Sequence, residues 1–509
     1  MSFPGLRIDV ESDVPVYRQI VDGIRAALSD HRLPPGGQLP PTRELARQLR
    51  VNRNTVVAAY DALAAEGLVT SHTGRGTFAS EPGGTPPDAG RPEHPASESW
   101  LTSFSRAVEG PGVAGLLSVY RVAMSSDGIS FAGSYPAAEL MPVERFRRSL
   151  DAVLGHGGAE ILSYGPTSGY SPLREAIAAA MRRKGSPAAA EGILITNGSQ
   201  QAVELVFRTM LDRGDAVVVE EPTYTGALSA LSSLGARLVG VPVDEEGIRP
   251  DLLAIALERH RPRILYVQPT FHNPTTHVMS EGRRMEVLSL AARFGCAVVE
   301  DDWASDLRFE GSELPTLHAL DGGRRVVYLS TFSKKLLPGI RVGWVAAPPA
   351  VLERLIALKQ IADHGSSPLL QAALHEFLRN GGLAEHLERV LPAYRERRDI
   401  MLGALRRHFP DCVVWTRPEG GLFLWVTLPP GIDSADLFVA ARDRQVLFSR
   451  GELFHSDGSG SDTLRLTYAS VKPAQIETGV AVLGELVRER AAARAGAAAR
   501  RVDEAVPIL

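Results

Sequence analysis

The chain has 509 residues, too many for one hydrophobic core, and this length indicates about three domains. Hydrophobic residues make up 44% and charged residues 22% of the chain, as in an ordinary globular protein, and the formal net charge is −4. Any surface for nucleic acid must therefore be local. Only Cys296 and Cys412 are present, which excludes a disulfide framework. Since no apolar run reaches the roughly 18 residues of a membrane span and no signal peptide pattern opens the chain, we predict a cytoplasmic protein.

The composition divides the chain into four parts. Residues 13–80 have the pattern of a small compact domain. Residues 81–128 form a predicted linker, because the stretch 81–99 is rich in Pro, Gly, Ser and acidic residues and cannot bury a core. Residues 129–495 form the predicted main domain, and 496–509 a tail.

Residues 13–80 contain three stretches with apolar residues at helical spacing. These stretches are Tyr17–Leu28, a second that begins at Thr42, and a third that carries Val56, Tyr60, Leu63 and Ala64. Two short strand patterns, Leu68–Ser71 and Thr77–Ala79, then bracket a Gly-Arg-Gly tip at 74–76. Three helices followed by a two-stranded wing predict a winged helix-turn-helix, a mainly α-helical DNA-binding fold.

Arginine is concentrated in the second half of this small domain. Residues 1–80 hold nine arginines against eight acidic residues, so the overall charge alone decides nothing. Five of the arginines, however, fall in the helix-turn-helix and wing: Arg43, Arg47, Arg50, Arg53 and Arg75. Each could be a solvated surface residue, but the set favours contact with double-stranded DNA.

The main domain alternates strand and helix patterns. Short β-branched runs lie at Ile193–Thr196, Ala216–Val219, Ile264–Val267, Ala297–Val299 and Val326–Leu329, with helical stretches such as Gln201–Leu211 and Gly282–Phe294 between them. This alternation predicts an α/β fold with a parallel sheet. Two later strands, Gly421–Thr427 and Thr463–Tyr468, predict a small α+β subdomain at the carboxyl end.

A group of polar residues in the main domain has the chemistry of a pyridoxal phosphate site. Lys334 lies in the run STFSKK at 330–335, Arg341 follows seven residues later, and VVEDD at 298–302 precedes both. A lysine amine can form a Schiff base, hydroxyls and arginine can hold a phosphate, and a carboxylate can keep a pyridine nitrogen protonated. A lone lysine in such a stretch is usually a surface residue, but the combination favours a site.

Three further motifs follow predicted strands. They are ITNGSQQ at 195–201, EEPTY at 220–224 and QPTFHNPTT at 268–276. The first precedes a helix, whose free backbone amides suit a phosphate, although a simple helix cap is the alternative. Because open α/β sheets bind ligands at the carboxyl ends of their strands, we expect these motifs to meet there.

The small domain resembles the GntR-family winged helix. The resemblance is carried by LPPTRELA at 39–46, VNRNTV at 51–56 and EGLV at 66–69. It implies that DNA is contacted by Arg43, Arg53, Asn54, Thr55 and the wing residues Gly74, Arg75 and Gly76.

The main domain resembles fold-type I aminotransferases over residues 129–490, and the two halves together resemble the MocR subfamily of GntR regulators. The resemblance implies pyridoxal phosphate bound through a Schiff base to Lys334. Asp301 would face the pyridine nitrogen, Asn273 the phenolic oxygen, and Tyr224 would stack on the ring. The phosphate would be bound by Ser199, Gln200, Thr331, Ser333 and Arg341, with Tyr164 contributed by a second copy of the chain. Arg465 would grip a carboxylate of a substrate or effector.

Two positions of the main domain depart from the pattern of the aminotransferases it resembles. Trp303 stands where members usually have tyrosine, and Thr276 where they usually have glycine. Indole can donate a hydrogen bond but cannot exchange a proton as a phenol does, so Trp303 stays among the expected cofactor contacts in a weaker role. Neither change abolishes cofactor binding, but both argue against efficient turnover.

Three functions remain open at this stage. The favoured hypothesis is a DNA-binding transcriptional regulator whose aminotransferase-like domain senses pyridoxal phosphate, alone or with an amine or amino-acid effector. The alternative is an active aminotransferase with an auxiliary DNA-binding head, and the third is a module that uses the cofactor only to stabilise a dimer. The resemblance further implies a homodimer, head-to-tail, and DNA with two half-sites. Candidate effectors are the cofactor itself, GABA or another amino acid, and a dipeptide-like amine.

Overall fold

The computed structural model describes residues 8, 16–30, 32–34, 36–49, 51–52, 55–57, 59–60, 63, 68–72, 76–79 and 128–504, with backbone only at 29, 43, 70–72, 76 and 495–504. The chain separates into two compact units, Met1–Arg106 and Ala107–Leu509. The linker predicted at 81–128 and the tail predicted at 496–509 lie almost entirely outside the residues described with side chains. In the described part of the chain, no helix has the length and apolar character needed to cross a bilayer.

The first unit contains the predicted helices and wing. Helices α1 (Val16–Ser29) and α2 (Thr42–Leu49) are followed by helical backbone at 55–57, 59–60 and 63. Strands β1 (Val69–His72) and β2 (Gly76–Ala79) pair antiparallel as the wing. Their core consists of fully buried apolar side chains, among them Ile20, Ile24, Leu45, Val56 and Leu63. The periodicity of the sequence therefore identified this core, and the winged helix fold is confirmed.

The second unit has fourteen strands and twelve α-helices in its described part. Its strands are β3 (Ile129–Ser130), β4 (Ile193–Thr196), β5 (Ala216–Glu221), β6 (Arg237–Asp244), β7 (Gly247–Ile248), β8 (Ile264–Val267), β9 (Ala297–Asp302), β10 (Val326–Thr331), β11 (Gly343–Ala346), β12 (Val414–Trp415), β13 (Phe423–Thr427), β14 (Val446–Leu447), β15 (Ser449–Arg450) and β16 (Thr463–Thr467). Its α-helices are α3 (Val143–Gly157), α4 (Ser171–Arg183), α5 (Ser199–Met210), α6 (Thr225–Ser233), α7 (Pro250–His260), α8 (Glu281–Phe294), α9 (Leu317–Asp321), α10 (Pro349–Asp363), α11 (Pro368–Arg379), α12 (Gly382–His408), α13 (Ser434–Asp443) and α14 (Pro473–Glu504).

The large sheet has the strand order β4-β11-β10-β9-β8-β5-β6-β7. Strands β10, β9, β8, β5 and β6 are mutually parallel, whereas β11 runs antiparallel between β10 and β4. Val217 and Val219 pack on one face of the sheet and Val218 on the other. Both faces are covered, which explains why these strands have continuous apolar runs rather than an alternating pattern.

Several strands extend beyond the apolar runs that predicted them. Strand β9 continues from Val299 through Glu300 to Asp302, and β5 continues to Glu221. Hydrogen bonding between parallel strands carries on after the apolar pattern ends, because the polar side chains there have partners at the edge of the sheet. The carboxyl ends of β5, β8, β9 and β10 thus bring polar residues to one edge.

The carboxyl-terminal subdomain is built on the antiparallel sheet β12-β13-β16-β15. Its apolar face packs with helices α12 and α14 in a single cluster that includes Met401, Phe423, Leu466 and Leu483. Strand β3 pairs in parallel with β14, so the residues that directly follow the predicted linker are held against this subdomain. The predicted strands at 421–427 and 463–468 are confirmed as β13 and β16.

Candidate functional site

Asp301 is buried at the carboxyl end of β9, with 2% of its surface exposed. Its Oδ2 accepts hydrogen bonds from the Tyr266 hydroxyl at 2.6 Å and from Gln268 Nε2 at 3.2 Å. Its Oδ1 is buried without a hydrogen-bond partner among the described residues. Burial raises the pKa of Asp301 to about 6, although the two hydrogen bonds favour the ionised form. A buried carboxylate oxygen without a partner is costly, which suits a position that a ligand's N–H completes.

Lys334 follows β10, and its side chain points back toward the start of the domain. Its Nζ donates to the backbone oxygen of Ser134 at 2.8 Å and lies 5.6 Å from the centre of the Tyr135 ring. Burial, with the positive charges of Arg465 and Arg341, lowers the pKa of Lys334 to about 8. A substantial fraction of this amine is therefore neutral and nucleophilic near pH 7 to 8.

The turn between β4 and α5 forms a cradle with Arg341. Gly198 has φ +83°, and a Cβ there would lie 2.3 Å from Arg341 Nη2, so only glycine allows this approach. Arg341 donates to Asn197 O at 3.0 Å and to Ser333 Oγ at 3.2 Å. Helix α5 begins at Ser199 without a side-chain cap. Free backbone amides beside a guanidinium make a phosphate site.

Thr331 and Ser333 lie on the other side of this cradle. The Thr331 hydroxyl donates to Val342 O at 3.1 Å and contacts Ser333 Oγ at 3.0 Å, and Ser333 N donates back to Thr331 Oγ1 at 3.1 Å. These hydrogen bonds fix the turn that carries Lys334. One short segment thus supplies both Lys334 and the two hydroxyl groups on this side of the cradle.

Tyr224 and Gln200 are joined across the turn that follows β5. The Tyr224 hydroxyl donates to Gln200 Oε1 at 3.0 Å, and Gln200 Nε2 donates to Gly226 O at 3.0 Å. Burial and the nearby Asp301 carboxylate raise the pKa of Tyr224 to about 12. The phenol is therefore neutral at pH 7 and serves as a hydrogen-bond donor with an aromatic face.

Arg465 reaches the site from β16 and is 5% exposed. It donates to Asn273 Oδ1 at 2.9 Å and to Ala132 O at 2.9 Å, while its Nε is buried without a partner among the described residues. Its guanidinium lies 4.6 Å from the centre of the Phe423 ring. Burial lowers the pKa of Arg465 to about 10, so it remains charged at pH 7. Since no carboxylate pairs with this buried charge in the part of the chain that the structure describes, Arg465 favours a carboxylate-bearing ligand.

The two departures from the family pattern have clear structural settings. Trp303 Nε1 donates to Phe271 O at 3.1 Å, and its ring stacks on Phe423 with a centroid distance of 5.4 Å. The indole N–H that we expected beside the cofactor is thus used by the backbone. Thr276 has φ +65°, which explains why glycine suits this position, since a β-branched residue is strained there.

The neighbouring acidic residues Glu300 and Asp302 face the other side of the sheet. Asp302 accepts from the Tyr328 hydroxyl at 2.6 Å and from Ser305 Oγ at 2.7 Å, and Glu300 accepts from the backbone amides of Leu317 and His318. Both carboxylates have their oxygens engaged. These contacts indicate a structural role for both residues.

Sequence reasoning missed the residues that support the site from behind. Tyr266 and Gln268 hold Asp301, and the backbone oxygens of Ala132 and Ser134 hold Arg465 and Lys334. A tyrosine inside the apolar run at 264–267 was the one available signal. Backbone acceptors leave no signal in a sequence.

The predicted site residues differ in how the structure places them. One site brings together Lys334, Asp301, Asn273, Tyr224, Gln200, Ser333 and Arg341 with Arg465. Tyr164 is 92% exposed. Among the DNA-contacting predictions, Thr55 N donates to Asn52 O at the start of the third helix and Gly76 begins β2. Arg43 is described in backbone only, and Arg53, Asn54, Gly74 and Arg75 lie outside the described residues.

The residues present fit a phosphate-bearing pyridine with an aldehyde. The open oxygen of Asp301 would take the ring N–H, the Gly198 cradle the phosphate, and the Lys334 amine the aldehyde carbon. Each of these groups differs in chemistry, and each is suited to one part of pyridoxal phosphate.

Comparisons with known proteins agree with this description. Residues 133–483 match the family described as aminotransferase class I and II, and residues 16–79 match the bacterial regulatory proteins of the gntR family. The probable rhizopine catabolism regulatory protein MocR of Rhizobium meliloti is 32% identical over 482 residues, covering 93% of this chain and 94% of that protein. The aromatic-amino-acid aminotransferase 1 of Thermococcus litoralis is 38% identical over 392 residues, covering 76% of this chain and 94% of that protein.

A solved structure shares the fold of the second unit. The α-aminoadipate aminotransferase LysN of Thermus thermophilus, complexed with N-(5'-phosphopyridoxyl)-L-leucine, has a TM-score of 0.72 and 38% identity, and covers 77% of this chain and 99% of its own. The chain therefore belongs to the aminotransferase class I and II family over most of its length and, with its gntR-type DNA-binding domain, to the MocR-type GntR transcriptional regulators, with pyridoxal phosphate as its cofactor.

Proposed function

We propose that the aminotransferase-like domain acts as a sensor, in which pyridoxal phosphate, alone or with an amine or amino-acid effector, alters the affinity of the winged helix for DNA. The proposed cofactor contacts are Lys334, Asp301, Asn273, Tyr224, Ser199, Gln200, Thr331, Ser333, Arg341 and the partner's Tyr164. The proposed DNA contacts are Arg43, Arg53, Asn54, Thr55, Gly74, Arg75 and Gly76. Such coupling requires two states that bind the effector with different affinity.

The observation that supports this proposal most directly is the set of contacts made by the segment 131–135. The segment follows β3, the first strand after the predicted linker, and its backbone oxygens accept hydrogen bonds from both Lys334 and Arg465. The Lys334 nitrogen has fewer hydrogens to donate once it is bonded to the cofactor. Arg465 must likewise share its donors with any carboxylate it binds. Occupation of the site therefore weakens the hold on the segment from which the chain leads back to the DNA-binding domain.

Arg465 points to a carboxylate in the effector. Its Nη1 donates to Asn273 Oδ1, and its Nη2 donates to Ala132 O and to Ser449 Oγ at 3.3 Å, so its fork is already oriented. We propose an amino acid rather than a simple amine, because only the former offers a carboxylate for the guanidinium and an amine for the cofactor.

We propose a homodimer, arranged head-to-tail, that binds two DNA half-sites. Tyr164 supports a shared site, because an aromatic side chain that is 92% exposed beside Leu162, which is 64% exposed, has unburied apolar surface for a partner. Analytical ultracentrifugation at micromolar concentration should give the mass of two chains. A monomer that nevertheless takes up the cofactor fully would contradict the shared site.

Absorbance spectroscopy tests the sensor directly. Pyridoxal phosphate added to the full chain should give a visible band that is absent in Lys334→Ala, because the Schiff base is proposed to form at this amine. Lys335→Ala is the matched control, since Lys335 pairs with Asp306 and its loss should leave the band in place. Amino acids and amines that lack a carboxylate are then added, while retention of duplex DNA is measured. A band that never responds to amines, or a response without any change in DNA binding, would contradict the sensor.

An active aminotransferase is the second candidate, and the lowered pKa of Lys334 favours it. When bound, pyridoxal phosphate supplies an electron sink for the bonds of an amino acid. In this reaction Lys334 would move the proton, while Asp301 and Arg465 would hold the ring and the carboxylate. Sustained release of a keto acid with a second keto acid as acceptor would favour the enzyme, whereas one turnover at most would favour the sensor.

A further inference from the structure

A buried polar group behind Asp301 has no part in the proposed contacts. It consists of Glu220 at the end of β5, with 0% exposure, and of Gln268 and His272 in the turn after β8, each with 2% exposure. Buried polar side chains are retained where their hydrogen bonds orient something. The contacts of Gln268 show what this group orients.

Gln268 connects three positions of the site. Its Nε2 donates to Asp301 Oδ2 at 3.2 Å, and its Oε1 accepts from the backbone amide of Asn273 at 3.1 Å. Its own backbone amide donates to Glu220 Oε2 at 2.8 Å. One side chain therefore bridges the two residues expected at the pyridine nitrogen and the phenolic oxygen, which are meta to each other on one side of the cofactor ring.

We propose that Gln268 is a positioning residue that fixes Asp301 and Asn273 relative to each other, and that Glu220 holds Gln268 from behind. The proposal rests on the proposed function only in that Asp301 and Asn273 contact the cofactor. Tyr266 holds the same oxygen of Asp301 but does not contact Asn273 in the hydrogen bonds of the site, so it cannot replace the bridge.

Glu220 acts in this arrangement as a neutral carboxyl group. Its Oε1 is buried without a partner among the described residues, and His272 Nε2 lies 3.4 Å from its Oε2. Burial raises the pKa of Glu220 to about 8 and lowers that of His272 to about 3. The other titratable groups nearby are Tyr266 and His277. At pH 7 the pair is uncharged, so an amide at position 220 should serve as well as the acid.

The test compares four single variants and one double variant, which combines Gln268→Met with Glu220→Leu. All are made in the full chain and compared by their dissociation constant for pyridoxal phosphate and by the pH midpoint of the visible band. Gln268→Met removes the bridge with little change of volume, and Glu220→Leu removes its support. Glu220→Gln keeps the acceptor for the Gln268 amide. Glu300→Gln is the control, because Glu300 is similarly buried, in β9, but accepts hydrogen bonds from the first backbone amides of α9 instead.

Gln268→Met should weaken cofactor binding on the order of 10- to 100-fold, the effect of losing a hydrogen bond to a charged group. It should also raise the pH midpoint of the band, because weaker protonation of the pyridine nitrogen leaves the lysine–cofactor linkage more basic. Glu220→Leu should act in the same direction, and the double variant should be no worse than Gln268→Met alone. Glu220→Gln and Glu300→Gln should both stay within about twofold of the unchanged chain.

Three results would overturn the proposal. They are an unchanged midpoint and affinity in Gln268→Met, additive losses in the double variant, and a loss in Glu220→Gln as large as in Glu220→Leu. If Gln268→Met does not fold, the difference in cofactor affinity between Glu220→Leu and Glu220→Gln still tests the proposal. Absence of the band in the unchanged chain is a different result, which would reject the proposed function itself.

Discussion

Strand β9 presents buried carboxylates to both sides of the large sheet, and the two sides differ in how these groups are satisfied. Asp302, packed on the side of Val298, has both oxygens engaged by Tyr328 and Ser305. Asp301, on the side of Val299, has one oxygen engaged and one without a partner among the described residues. Two adjacent aspartates thus differ in whether both carboxylate oxygens have hydrogen-bond partners, although the two side chains are almost equally buried.

This difference indicates that one carboxylate contributes to the stability of the fold and the other to ligand binding. A buried carboxylate whose hydrogen bonds are complete adds to the folded state, whereas one left incomplete costs free energy that a ligand can recover. The same contrast holds for Lys335, which pairs with Asp306, and Lys334, which has no acidic partner among the hydrogen bonds of the site. The side with incomplete groups is the side expected to bind the cofactor.

Replacing each of the two aspartates by asparagine should give the largest difference between the two sides of the sheet. Asp301→Asn should weaken pyridoxal phosphate binding on the order of 10- to 100-fold, because the ring N–H loses a charged partner. Asp302→Asn should leave the affinity within about twofold and instead lower the free energy of unfolding by about 1–3 kcal/mol. Spectroscopic titration and urea denaturation without cofactor measure the two effects. Equal losses of affinity in both variants would remove the distinction between the two sides.

The rate of cofactor uptake should depend on pH through Lys334. Only the neutral amine attacks the aldehyde, and the pKa of Lys334 is lowered to about 8. Below that pH the rate should rise by about tenfold per pH unit, and above it the rate should level off, since the amine is then fully neutral. Stopped-flow absorbance at several pH values measures this. A rate that keeps rising to pH 10 would mean that the amine has the pKa of an exposed lysine.

Replacing the tyrosine that donates to each aspartate should give the smallest difference between the two sides of the sheet. The hydroxyls of Tyr266 and Tyr328 each donate to an aspartate at 2.6 Å, to Asp301 and Asp302 respectively. Tyr266→Phe should weaken cofactor binding by about threefold to tenfold, whereas Tyr328→Phe should lower only the free energy of unfolding, by about 1 kcal/mol. The titration and denaturation used for the aspartates apply here too. If Tyr328→Phe were the variant that lost affinity, the assignment of the two sides would be reversed.

Much of the fold could be predicted from the sequence. The bounds of β4 and β8 agree with their predicted runs, and β9 and β10 were predicted too short, because their last residues are polar. Asp301 and Lys334 were singled out because residue type and order are visible in a linear pattern. Gln268 was not chosen, because nothing in the run at 268–276 distinguishes an amide that bridges two residues from one exposed in a loop.

The sequence by itself determined the order of domains, the apolar cores and the identity of the reactive groups, because these depend on residue type and on periods along one chain. Only the tertiary structure decided which carboxylate of β9 lacks a full set of hydrogen bonds and that the Trp303 N–H donates to Phe271 O. It also decided that the backbone oxygens of Ser134 and Ala132 accept hydrogen bonds from Lys334 and Arg465. These features depend on hydrogen bonds between residues tens to hundreds of positions apart, often to backbone atoms that every residue has.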